Sequence, residues 1–97
     1  MVSIRKRPGE RAEVIEVEKN AKALEEQVGG MLRLSRFGED ACLIRNHEGE
    51  RLGLEVNCTI LGKQLHGTIL LVGFDGEAVT GLTEEQVKAG MEIFDLV

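Results

Sequence analysis

The sequence predicts an α+β fold: a mainly antiparallel sheet of about five to six strands, with two helices packed on one face. Three observations point to it. Short segments of alternating apolar and polar residues recur between turn-forming residues. Two other segments carry helical apolar spacing and begin with capping residues. One continuous apolar run, Gly67-Thr-Ile-Leu-Leu-Val-Gly73, reads as a buried strand. A chain of 97 residues sits within the range of one domain.

Taken in order, Met1 to Arg7 reads as a first strand, with Val2 and Ile4 alternating with Ser3 and Arg5. Pro8-Gly9 is a turn, and Ala12 to Glu18 returns as a second strand, giving an N-terminal hairpin over residues 1–18. Asn20 is placed to cap a helix from Ala21 to Val28, whose stripe is Ala21, Leu24 and Val28. Gly29-Gly30 ends it. Met31 to Phe37 and Ala41 to Arg45 form the next two strands around Gly38-Glu-Asp40. Asn46 to Glu50 turns again, and Arg51 to Leu54 is expected as a short fifth strand, with Gly53 marking a bulge. Asn57 to His66 reads as one irregular helical turn inside a loop. After the buried strand, Phe74 to Glu77 turns. Thr83-Glu-Glu-Gln86 matches a capping box and opens a helix from about Glu84 to Phe94. The expected core is Ile4, Val14, Val17, Leu24, Val28, Leu32, Leu34, Leu43, Leu54, Ile69, Leu71, Val87 and Met91.

Composition restricts the function. Hydrophobic residues make up 42% and charged residues 30%, as in folded soluble proteins. With three Phe, no Trp and no Tyr, the core must be aliphatic. A net charge of −5 argues against direct, sequence-independent nucleic-acid binding, which needs a basic face. No apolar run approaches the roughly 20 residues of a membrane span. The basic N-terminal residues lead into no apolar segment, so a cytoplasmic protein is expected. Cys42 and Cys58 lack CxxC spacing and are expected as reduced thiols.

The order of short motifs resembles a family. The stretch VGGMLRLSRFGEDACLIRNHEGERLGLEVN is followed by HGTILLVGFDGE and then GLTEEQVK. Together they are similar to the bacterial and phage family known as domain of unknown function 3846. Gly29 and Gly30 match its glycine pair, and Asn46, Glu48 and Gly49 its turn. Gly53, Leu54 and Asn57 match the next element, and Gly67, Thr68 and Gly73 the late strand. Leu82, Thr83 and Glu85 match the last helix start. The resemblance spans about residues 20 to 90. Leu54-Glu55-Val56 lacks a proline common in the family, and His66 replaces a small residue. The resemblance implies a compact α+β fold in a phage or mobile-element setting and carries no activity.

The chemistry-bearing residues are few. His47 stands beside Glu48 in a turn and has no partner marked for general-base work. Cys58 and His66 are the minimum for a thiol nucleophile, without an orienting acid. Paired Cys and His spacing for a structural metal is missing. Gly29-Gly30 follows a helix, so it offers an anion no helix N-terminal amides. Asn46 and Asn57 favour local turn bonding, yet with Arg45 and Arg51 nearby they can also form a polar rim. The expected ligand- or partner-binding residues are Arg45, Asn46, His47, Arg51, Asn57 and Thr68, with no catalytic set, cofactor or metal. The function expected is a non-catalytic binding protein that sequesters a host-derived small polar molecule or blocks a host protein. The alternatives are a small enzyme using Cys58 and His66, and a homo-oligomer built on a free edge strand.

Overall fold

The computed structural model describes residues 1–97. Strands β1 (Val2–Lys6) and β2 (Glu13–Glu16) form the N-terminal hairpin, and α1 (Ala21–Val28) follows. Next come β3 (Leu32–Arg36), β4 (Ala41–Asn46), β5 (Val56–Ile60), β6 (Lys63–His66) and β7 (Ile69–Phe74). A short β8 (Val79–Thr80) precedes the last helix, α2 (Glu84–Phe94). The main sheet runs β2-β1-β7-β4-β3, and β8 pairs with the end of β7. Every pairing is antiparallel. The α+β class, the two helices and the antiparallel sheet are as the patterning implies.

The local signals act as their chemistry requires. The Asn20 side chain accepts from the Ala23 amide, 2.8 Å away, and Gly29 closes α1 in the left-handed conformation. Thr83 and Gln86 form the reciprocal capping box. The long apolar run becomes β7, the middle strand, buried on both faces from Ile69 to Gly73.

Alternation along β4 and β7 divides the core in two. Leu43, Ile69 and Leu71 join Ile4, Phe94, Val87 and Met91 on one face. Cys42, Ile44, Leu70 and Val72 join Val17, Leu24 and Val28 on the other. The helices therefore take opposite faces, not the shared one expected. The reason is that β4 and β7 are apolar at consecutive positions, which gives each face a layer to cover.

Three further expectations are corrected. Asn57 to His66 is not a helical turn but the hairpin β5–β6, which lays Cys58, Ile60 and Leu65 on the α2 face. Arg51 to Leu54 is not a strand. The Glu48 carbonyl accepts from Leu52 and the Glu50 carbonyl from Gly53, so the backbone coils, and Gly53 takes φ +71. Val14 and Leu34 leave the core, at 50% and 46% exposed. They lie on the edge strands, where the eight-residue α1 and the other elements do not reach. Leu32, Leu54, Val87 and Met91 are partly buried. No helix is long and apolar enough to cross a membrane.

Candidate functional site

The β3–β4 register fixes the site. It places Arg33 directly opposite Arg45, as it places Ser35 opposite Leu43. Alternation turns all four toward the face that carries β5–β6. The hairpin's second strand, β6, then brings Lys63, Gln64 and His66 beside them, around a pocket of about 140 Å³. The loop after β4 closes the far side with His47, Gly49 and Glu50. Gly49 permits this closeness, since a Cβ there would lie 3.1 Å from the His66 carbonyl oxygen.

The pocket is basic in an acidic molecule. Arg33, Arg45 and Lys63 line it with two histidines, against the single carboxylate of Glu50. None of the three cations is neutralised. The ion pairs lie elsewhere: the amino group of Met1 with Glu16, Arg5 with Glu13, Arg7 with Glu10 and Glu13, and Arg51 with Glu48. Like charges placed directly across two strands repel. The half-buried Arg45 registers this: desolvation, and then the charge of Arg33, disfavour its protonated form and lower its pKa. The His66 ring is oriented by a contact of 3.1 Å between Nδ1 and the Leu54 carbonyl oxygen. A carbonyl can only accept, so Nδ1 carries the hydrogen and Nε2 is left for another partner.

Arg45, Asn46 and His47, expected as rim residues, line this pocket together. Asn46 is also structural. Its Nδ2 donates to the Val28 carbonyl at the end of α1, and its Oδ1 accepts from the Glu48 amide. Arg51 stands outside on an open rim, its Nε bonded to Glu48 at 2.7 Å. Asn57 donates to the carbonyls of Lys6 and Gly67, at 2.7 and 2.8 Å, and so ties the hairpin to β1. Thr68 is partly buried just before β7 and lines none of these pockets. Cys58 faces Leu65 in the core, where burial pushes its thiol pKa up, while His66 sits opposite Val56. Cys42 lies in the other core layer, and both thiols are free. No three His, Cys, Asp or Glu side chains gather as a metal site.

Arg33, Lys63, Gln64 and Glu50 were missed from the sequence. Arg33 was accessible in principle, because a hairpin turning at Gly38 to Asp40 sets it against Arg45. Lys63 was not, because its place depends on a hairpin read as a loop.

Fold and site together define a small α+β domain with a cationic pocket at one end of its sheet. The chain belongs to the family described as a domain of unknown function, DUF3846, whose model matches residues 1–95 and so takes in the N-terminal hairpin. No curated protein and no solved structure matches it.

Proposed function

We propose that this protein is a binding module that captures a small anionic ligand, phosphate- or carboxylate-bearing, in the pocket around Arg33, Arg45 and Lys63. One observation carries the reading: two arginines in direct register across a hairpin, lining one pocket, with neither in an ion pair. Such an arrangement costs stability in the free protein and is relieved by an anion bridging both guanidiniums. The planar forks suit bidentate oxygens, and Lys63 adds a point charge. Burial of Cys58 in the core raises its pKa and so works against the alternative of a thiolate nucleophile at that residue. In the phage or mobile-element setting that the family suggests, holding such a ligand would withhold it from the host.

Calorimetric titration with phosphate and pyrophosphate tests the reading. Saturable binding is expected, with a loss of roughly tenfold or more for Arg45→Ala and for Arg33→Ala, as for a lost charge-assisted hydrogen bond. Heats indistinguishable from dilution, or variants that bind as the parent does, would refute it.

A further inference from the structure

We infer that the anion held by Arg33, Arg45 and Lys63 carries a short aliphatic chain, which lies in the apolar groove adjoining the basic pocket. This rests on the anion-binding reading and names the ligand class. The groove, of about 170 Å³, adjoins the pocket and shares Arg45 and Lys63 with it. Its apolar walls are Phe37, Leu43, Ile60, Leu61 and Leu65; Arg36 joins Arg45 and Lys63 along its edge, and Ser35 is its one uncharged polar side chain. A head group on the guanidiniums therefore directs its body across aliphatic carbon. The N–H donors of a nucleobase would meet a wall whose side chains offer only the Ser35 hydroxyl as an acceptor, a costly mismatch. An alkyl chain brings none.

Leu61 supplies an independent observation. It opens the two-residue turn between β5 and β6, with φ +52, and Gly62 follows with φ +77. Such a turn favours Asn-Gly, because an ordinary L side chain is strained in the left-handed region. Leu61 is the one residue other than glycine with positive φ, and it is 88% exposed. Nothing inside the chain repays a leucine there. Over the groove it extends the apolar wall, and strain of this kind marks a residue kept for an outside contact.

The test is calorimetric titration of the full chain and of Leu61→Asn with octyl phosphate below its aggregation concentration, inorganic phosphate, octanol and AMP. Melting temperatures and light scattering are measured on both proteins. Octyl phosphate is expected to bind at least about tenfold tighter than phosphate, since chain burial adds to the head-group contact. Octanol and AMP are expected to bind more weakly than octyl phosphate. Leu61→Asn should melt at an equal or higher temperature, keep its phosphate affinity and lose most of the octyl advantage. Equal affinity for octyl phosphate and phosphate would overturn the alkyl inference and leave the anion reading standing. Binding of neither would overturn both. AMP binding tighter than octyl phosphate would assign the groove to a nucleotide, and a dimer that Leu61→Asn dissociates would assign it to a second copy. Either result would overturn the inference.

Discussion

Asn46 joins three parts of the molecule through one amide. It holds the last carbonyl of α1, starts the loop behind the pocket and leaves no room for a side chain at position 30, where a Cβ would come within 2.8 Å of Nδ2. Asn46→Ala should cost about 1–3 kcal/mol in urea denaturation, because buried groups lose their partners. Asn46→Asp should cost more, since a carboxylate would meet the negative end of the helix. Glu13 makes a separate prediction. The Arg5 guanidinium bonded to it holds its carboxyl pKa below the ordinary 4.5. A depressed folded-state pKa stabilises the fold fully above the unfolded value, and the contribution is lost as pH falls through the folded one. Between about pH 6 and about pH 3, the melting temperature should therefore fall further for the parent than for Glu13→Gln.

Elements were legible where one strong local signal fixed them. Asn20, Gly29 and the Thr83–Gln86 box marked both helices, and Pro8-Gly9 marked the first hairpin. The β5–β6 hairpin escaped because Leu61-Gly62 is an unusual turn pair, and Leu61 with Leu65 mimics helical spacing. The alternation of Cys58 and Ile60 with Asn57 and Thr59 was the signal available. The helix faces escaped as well, because an apolar run buried on both sides does not say which helix covers which side. Gly90 shows how close α2 comes to the sheet: a Cβ there would lie 2.6 Å from Leu71 and 2.7 Å from Ile4. Alanine gains about 1 kcal/mol of helix propensity over glycine. Overpacking typically costs about 1–3 kcal/mol. Gly90→Ala should therefore melt below the parent. In the opposite sense, Leu61→Asn relieves a left-handed leucine, a strain of about 1–2 kcal/mol, and should raise the denaturation midpoint.

Across the whole molecule, the net charge of −5 conceals a local excess of cations. Composition correctly suggested an acidic chain and said nothing of this pocket, because Arg33, Arg45 and Lys63 converge through register and a long-range hairpin. Of the expected rim, Arg45, Asn46 and His47 sit at the pocket, while Asn57 serves the backbone and Arg51 is bonded to Glu48. Surrounding negative charge slows an anion's approach, and salt screens both this field and the exposed part of the site. Pyrophosphate affinity should therefore depend on sodium chloride concentration, and Arg45→Ala should flatten that dependence in a calorimetric salt series. The most direct measurement is a map of amide and arginine side-chain NMR shifts during a pyrophosphate titration. Saturable changes centred on Arg33, Arg45, Gly49 and Lys63, with the β1–β2 hairpin undisturbed, are expected. Changes centred on Arg5, Arg7 and Arg11, or spread weakly over every surface cation, would contradict the account.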